Sequence, residues 1–352
     1  MNYLELIVNS ISNGIIAVDK NLKTILVNPF ACTIFDIPSD RNILGTNIQE
    51  ILNDEGICNL LEKSIIEDCN FFEEITIVED SKILSITINP IRSDSESIGA
   101  VLFIQDITKM RNIEKMGQEF VSNVSHELKT PLTSIRGFIE TLKNGAVNDH
   151  DVAYKFLDII DIEAERLFFL LNDLLALSEI ETMKQDVNIS SILVEEIIND
   201  SINVLQGQAK KKNISISFDI QPDLKIKMSK HKLMQLVINL MDNSIKYSPD
   251  SSWIKIHAYK SEDSIVISFK DSGIGIPKEH HARIFERFYR VDKSRSRSLG
   301  GTGLGLSIVK HIVDIYNGTI TLNSKVGKGT EFIVTFPAQL YQENTTLKEA
   351  LK

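Results

Sequence analysis

The chain has 352 residues, enough for two or three domains at about 100 to 200 residues each. Apolar residues make up 43% and charged residues 24%, the balance of a folded globular protein. A formal net charge of −10 argues against nucleic acid as the main partner, because tracking a phosphate backbone needs a basic surface.

The three cysteines, Cys32, Cys58 and Cys69, form no CxxC pair or Cys/His cluster. They read as reduced thiols. No run of about 18 apolar residues occurs, so no membrane span is expected. The opening MNYLELIVNSISNG lacks the basic start and long apolar stretch of a signal peptide. The expected location is the cytoplasm, either as a cytosolic protein or as the cytoplasmic part of a membrane-anchored one.

In chain order, residues 15–19 (IIAVD) and 24–28 (TILVN) predict a hairpin around Lys20–Lys23. Strands are predicted at 73–78, 83–88 and 98–108, with turns at Asp80–Ser81 and Ser93–Ser97 and a helical stretch between the two strand sets. This is a small α+β domain over 1–106. From 107 the period changes. Ile107, Met110, Ile113, Met116, Phe120, Val124, Leu128 and Leu132 recur at spacings of three or four, one apolar face of a long helix.

A polar turn, Asn144–Asp151, precedes a second helix. There Phe156, Ile160, Glu163, Leu167, Leu170, Leu174 and Leu177 alternate at four and three, a heptad seam broken only by Glu163. Two antiparallel helices with such a seam predict a dimeric four-helix bundle. Between 189 and 338, helices (193–211, 230–247, 304–316) mix with strands (213–220, 252–260, 263–271, 318–323, 330–336) and glycine-rich loops, an α/β domain. The tail 339–352 is polar.

His126 lies on the first long helix, between Val124 and Leu128 and towards solvent. Neutral imidazole is a competent nucleophile. Glu127 can orient or deprotonate it, and Thr130 is one turn on along the same face. Pro131 removes a backbone donor and predicts a bend past the histidine. By itself a His-Glu pair on a helix is more often a solvated surface feature. Position 130 is Thr, so a His-Glu-x-x-His zinc site is excluded.

Four further segments carry nucleotide chemistry. Asn239 and Asn243, in QLVINLMDNSIKY, share a helix face, and asparagine oxygens suit Mg²⁺ that also holds phosphate oxygens. Lys246 adds a mobile positive charge. Asp271 opens DSGIGI at a strand end, where an ionised carboxylate accepts from an exocyclic amine. Gly273 and Gly275 let backbone approach a flat base. In IFERFYR, Phe285 and Phe288 stand at helical spacing, and Arg287 or Arg290 can reach a phosphate. GGTGLGL (300–306) opens a helix, where free N–H groups favour anions. It matches neither a P-loop nor a Rossmann fingerprint. Each segment alone has an ordinary structural explanation, and their order and spacing carry the weight.

SHELKTPLTSI resembles the phospho-acceptor box of the two-component sensor histidine kinases. The four later segments resemble the N, G1, F and G2 boxes of the ATP-binding fold shared by histidine kinases, Hsp90-type chaperones, MutL and type II topoisomerases. The resemblance covers about residues 115–336. It implies that His126 is phosphorylated, that Glu127 assists, and that Thr130 helps a reverse phosphatase reaction. It implies ATP and Mg²⁺ as cofactors, with Asn243 holding the metal and Asn239 close by. Asp271 is implied to bind the adenine amine, with Gly273 and Gly275 beside it and Thr330 supporting it. Lys246, Tyr247 and Arg287 are implied to line the nucleotide. Gly301, Thr302, Gly303, Leu304 and Gly305 are implied to flank the phosphates, with 291–303 as a mobile lid. Ser244 stands where Ala is usual, a small-for-small difference.

SNGIIAVDKNLKTILVNPFACTIFDIP, with Asn28, and the close Gln105-Asp106-Ile107-Thr108 resemble a PAS domain. Dimerisation and small-molecule sensing both remain open for it. No histidine precedes Thr108, which argues against His-ligated haem.

The expected architecture is multidomain: an α+β PAS domain (1–106), a signalling-helix linker (107–119), an antiparallel helical hairpin forming a dimeric four-helix bundle (120–184), and an α/β sandwich ATP-binding domain of the Bergerat (GHKL) type (189–338). The implied reaction is autophosphorylation of His126 and transfer to an aspartate of a response regulator, with phosphatase activity towards it. The implied partners are a second copy of the chain and that regulator. A different ATPase on the same fold and a silent dimeric scaffold are the competing readings. The histidine box argues against the first, and the intact Asn243, Asp271 and glycine loops against the second.

Overall fold

Asp19 builds the first hairpin turn. Its Oδ1 accepts from Asn21 N at 2.8 Å and Lys23 N at 2.9 Å, and Leu22 takes a left-handed φ of 60°. The strands so joined are β1 (Gly14–Asp19) and β2 (Thr24–Val27), following helix α1 (Tyr3–Ser10). The computed structural model describes residues 3–35, 37–38, 43–52, 54–77, 82–93, 96–182, 189–292 and 301–338. The expected turn at Asp80–Ser81, the middle of the turn at Ser93–Ser97, most of the 291–303 lid and the tail after 338 lie outside them. The chain divides into two units, Met1–Val121 and Ser122–Lys352.

In the first unit, Asn28 joins β1 to helix α2 (Pro29–Ile34). Its Oδ1 accepts from Ile15 N at 2.9 Å and, as N-cap, from Ala31 N at 3.0 Å, while Nδ2 donates to Asn13 O at 2.8 Å. The usual PAS asparagine is therefore a buried structural tie. Helix α3 (Glu55–Glu67) precedes β3 (Phe71–Ile77), β4 (Lys82–Ser93) and β5 (Glu96–Asp106). The antiparallel sheet runs β2-β1-β5-β4-β3. Its inner face, from Ile16 and Val18 to Leu84, Ile86, Ile88, Leu102 and Ile104, packs in one core with Ile57 and Leu61 of α3. The Asp-Ile-Thr ending is a capping device. Asp106 Oδ1 accepts from Thr108 N at 2.9 Å, and Thr108 Oγ1 accepts from Ile83 N at 2.8 Å.

Helix α4 (Thr108–Lys143) continues through Pro131 as one helix. In the second unit it is followed by a short 3₁₀ turn and α5 (His150–Thr182). The heptad seam of α5 is half-buried to buried along its length, and Phe156 packs on Phe138 of α4 with ring centroids 5.0 Å apart. At Phe156 the seam is thus covered from within the chain. A second apolar row, Tyr154, Leu157, Phe168, Leu171 and Leu175, is left exposed, with Leu157 at 52% and Phe168 at 65%.

The α/β domain begins with β6 (Ser190–Leu193), α6 (Val194–Lys211), β7 (Ser215–Ile220) and β8 (Lys225–Met228). α7 (Lys230–Lys246), β9 (Trp253–Ser261), β10 (Ser264–Asp271), α8 (Gly305–Ile315), β11 (Thr319–Lys325) and β12 (Gly329–Pro337) complete it. The main sheet is ordered β11-β12-β10-β9-β7, with β7 parallel to β9 and the other pairs antiparallel. β6 and β8 form a separate two-stranded sheet. Both are four residues long, too short for the alternation of sequence to reveal. Ile254, Ile256, Ile267, Phe269, Val334 and Phe336 of the sheet, and Ile197, Leu236, Leu240, Ile308 and Ile312 of the helices, are all nearly solvent-free. That is the α/β sandwich expected.

Candidate active site

Asp271 ends β10 at 6% exposure, brought inside by the strand's alternation. Its Oδ1 accepts from Gly273 N at 2.9 Å and Thr330 N at 3.0 Å, and its Oδ2 accepts from Ser244 Oγ at 3.2 Å. Burial pushes this carboxyl above the usual range, and those three donors pull it back. A Cβ on Gly273 would lie 2.8 Å from both Asp271 Oδ1 and Tyr247 O. Gly275, at φ +72°, leaves no room either, since a Cβ there would sit 2.1 Å from Lys325 O. Thr330 is held in turn by Ser324, whose Oγ is 2.9 Å from Thr330 Oγ1.

α7 carries Asn239, Asn243 and Lys246 on half-buried positions. Asn239 Oδ1 is 3.0 Å from where a Cβ of Gly305 would stand, so the glycine lets α8 approach α7. Lys246 pairs with Asp242 at 2.6 Å, one turn back. The Tyr247 carbonyl accepts from Ile274 N at 3.1 Å, which fastens the helix end to the glycine loop after β10.

The second glycine loop is zipped to the IFERFYR segment. Phe288 N donates to Gly303 O at 2.9 Å, and a Cβ on Gly303, at φ +76°, would lie 2.9 Å from Phe288 Cα. Phe288 itself has a left-handed φ of 62°, and the segment is a series of turns, so the helical spacing of the two phenylalanines does not mark a helix. Phe285 packs edge-on to Phe332. Arg287 is exposed. Thr302 Oγ1 accepts from Leu304 N at 3.2 Å and donates to Asp173 Oδ2 of α5 at 2.7 Å. Gly301 is half-buried beside it. α8 starts without a side-chain cap, so its first N–H groups stay available to an anion.

On α4, His126 is exposed. Thr130 Oγ1 donates to His126 O at 3.1 Å, one turn along, so these two residues do share a face. Glu127 turns elsewhere. Its Oε2 accepts from Arg166 of α5 and from Arg290 of the IFERFYR segment, both at 3.1 Å. Arg166 also lies 3.8 Å from Glu163. The acid expected to assist His126 is thus held by two guanidiniums, one of which ties the ATP-binding fold to the hairpin.

The fold gathers Asp271, Gly273, Thr330 and Tyr247 in one cluster, and separately brings Gly305 against Asn239 and Gly303 against Phe288. Sequence reasoning missed Ser244 as a partner of Asp271, and it missed Asp173 and Arg166 entirely. Asp173 sits in an apolar helix run, and its contact is 129 residues away, beyond any local pattern. Burial pushes the Asp173 carboxyl up, opposed by the Thr302 hydrogen bond and by Lys246, with Asp242 adding to the rise.

A purine nucleotide fits these residues. The buried carboxylate acceptor lies beside close-approaching glycine backbone. Ser248 Oγ, buried and without a hydrogen-bond partner among the described residues, lies 3.2 Å from the Gly273 Cβ position. No cluster of three or more His, Cys, Asp or Glu suited to a metal ion occurs among the described residues. Asn243 is half-buried on α7, and its amide oxygen is a donor type that Mg²⁺ accepts.

Comparison with known proteins gives the family. Residues 228–340 match the family model of the histidine kinase-, DNA gyrase B- and HSP90-like ATPases. Residues 117–182 match the His Kinase A (phospho-acceptor) domain, and 2–73 match a PAS domain. A sensor protein kinase WalK of Staphylococcus aureus is 35% identical over 97% of this chain and 82% of its own length. The WalK sequence of S. aureus strain Newman is also 35% identical over 97% of this chain, which spans only 56% of that relative. The crystal structure of histidine kinase ThkA, in complex with response regulator protein TrrA, superposes with a TM-score of 0.54 at 23% identity. That match covers 96% of this chain and 99% of ThkA and concerns the fold. The chain belongs to the sensor histidine kinase family, with a PAS domain, a phospho-acceptor domain and a GHKL-type ATPase domain in that order.

Proposed function

We propose that the chain is the signalling and catalytic part of a two-component sensor kinase that phosphorylates His126 from ATP and passes the phosphoryl group to an aspartate of a response regulator. The observation that carries this is the pairing of an exposed helical His126 with a buried, backbone-anchored Asp271 in one structural unit. Bound MgATP would supply the γ-phosphoryl group and the charge neutralisation its transfer needs. A His126 ring nitrogen forms the new N–P bond as the bond between the γ-phosphorus and its bridging oxygen breaks, and ADP leaves.

Asp271 accepts the adenine amine, with Gly273, Gly275 and Thr330 shaping that end and Tyr247 beside it. Asn243, with Asn239 near, would hold Mg²⁺. Lys246, Arg287 and the loop Gly301–Gly305 line the phosphates. Glu127 takes up or orients the His126 proton once freed from Arg290, and Thr130 serves the reverse reaction on the regulator. The domain division is that given by the sequence: PAS at 1–106, linker at 107–119, phospho-acceptor hairpin at 120–184, ATP-binding domain at 189–338 and tail at 339–352.

A second copy of the chain covers the exposed row of Leu157, Phe168, Leu171 and Leu175, which supports the dimeric bundle. No helix among the described residues is long and apolar enough to cross a membrane. The assignment of this chain to the cytoplasm, alone or as part of a longer protein, is part of the same proposal.

The test uses ATP labelled at the γ-phosphate. Wild type should acquire acid-labile, base-stable label, and His126→Gln should acquire none. Label that persists on His126→Gln overturns the assignment.

A further inference from the structure

We infer that Ser244 is a positioning residue that sets which purine the site accepts, by filling one of the two acceptor positions of Asp271 Oδ2 and leaving one for an exocyclic amine. This rests on the reading above that Asp271 receives the nucleotide base.

An ionised carboxylate offers about four lone-pair directions, two on each oxygen. Both positions on Asp271 Oδ1 are taken by backbone, Gly273 N at 2.9 Å and Thr330 N at 3.0 Å. Backbone donors cannot turn away, so the plane of the carboxylate is fixed. On Oδ2 one donor is present, Ser244 Oγ at 3.2 Å. One acceptor position remains. It matches one N–H of a 6-amino group.

The hydroxyl has little alternative. Ser244 is 3% exposed on α7, next to Asn243, and Asp271 is 6% exposed. An alanine at 244 would leave the helix and its packing intact but would open the second position on Oδ2. A carboxyl buried this deeply can also take a proton, and Oδ2 is the oxygen with room for it. A protonated Oδ2 donates, and so welcomes a 6-keto group where the ionised form repels it. The hydrogen bond from Ser244 favours the ionised form, as its pull on the Asp271 carboxyl indicates. Ser244 therefore adds to the two backbone donors in keeping Asp271 a pure acceptor. It selects amine over keto at position 6 without touching the base itself.

The experiment measures dissociation constants of the full chain for MgATP and for MgITP, which carries oxygen in place of the 6-amino group. The same pair is measured on Ser244→Ala. Wild type should prefer ATP strongly. Ser244→Ala should lose about fivefold of that ATP-to-ITP preference, the usual net effect of one hydrogen bond. A role in packing alone would shift both constants together. An ATP-to-ITP ratio in Ser244→Ala within twofold of wild type overturns the inference. Absence of an ATP preference in wild type instead overturns the placement of adenine at Asp271, so the two failures are read on different proteins.

Discussion

Replacing Glu127 with Gln removes a charge that two guanidiniums share. Arg166 and Arg290 both donate to Oε2 at 3.1 Å, from side chains 14% and 6% exposed, and Glu127 itself is 17% exposed. A hydrogen bond to a charged group contributes about 1.5–3 kcal/mol and a neutral one about 0.5–1.5. Glutamine keeps an acceptor of the same shape, so the loss is about 1 kcal/mol per bond. Of these two bonds, the one from Arg290 joins the hairpin to the ATP-binding domain. The docked-to-undocked ratio should therefore fall about fivefold, by the factor of ten that each 1.4 kcal/mol represents.

Fluorescent unnatural amino acids on exposed positions of α5 and β9 read the docked fraction by energy transfer across a urea titration, independently of activity. Arg290→Ala and the double variant complete a cycle, with an expected coupling of about 1–2 kcal/mol. A coupling below about 0.3 kcal/mol would falsify the claim that this contact holds the domains together, since independent sites add to within that margin.

Two further outcomes follow from the same site. The Asp173 carboxyl is pushed up by burial when docked against Thr302, with Lys246 and Asp242 as the charged neighbours. A carboxyl that holds its proton more tightly docked than free favours docking when protonated. That contribution should be complete below about pH 4, the ordinary carboxylate value, and fade as pH rises through the raised one. Asp173→Asn keeps an acceptor for Thr302 and should flatten this dependence in the energy-transfer assay, whereas an unchanged pH profile would assign it to another group. Gly275→Ala forces a Cβ to within 2.1 Å of Lys325 O at a φ of +72°. A left-handed non-glycine residue alone costs about 1 kcal/mol or more, so isothermal calorimetry should show ATP binding weakened at least about fivefold. Wild-type affinity in that variant would mean that the loop after β10 does not shape the nucleotide site.

Much of this protein was legible before folding. The period of three and four placed α4 and α5, and the motif order placed Asp271 at a strand end and Gly305 at a helix start. Those features are local: a helix face or a strand-end glycine depends on residues a few positions apart. The heptad seam and the bundle it implies were legible in the period, but the contact that part of the seam makes with α4 within the chain was not. The structure lays Phe156 on Phe138 within the chain and exposes Leu157, Phe168, Leu171 and Leu175 instead. Both faces of α5 are apolar, so periodicity could not rank them.

Ser244 looked like a small-for-small substitution because its partner, Asp271, comes from another element 27 residues on. Glu127 looked like a partner for the neighbouring His126, yet Arg290 reaches it from 163 residues away. The sequence by itself determined the types of the longer elements, the family and the chemistry of the single residues. Tertiary structure alone decided which carboxylate meets which donor, because those pairings depend on the packing of whole elements across the unit rather than on spacing along the chain.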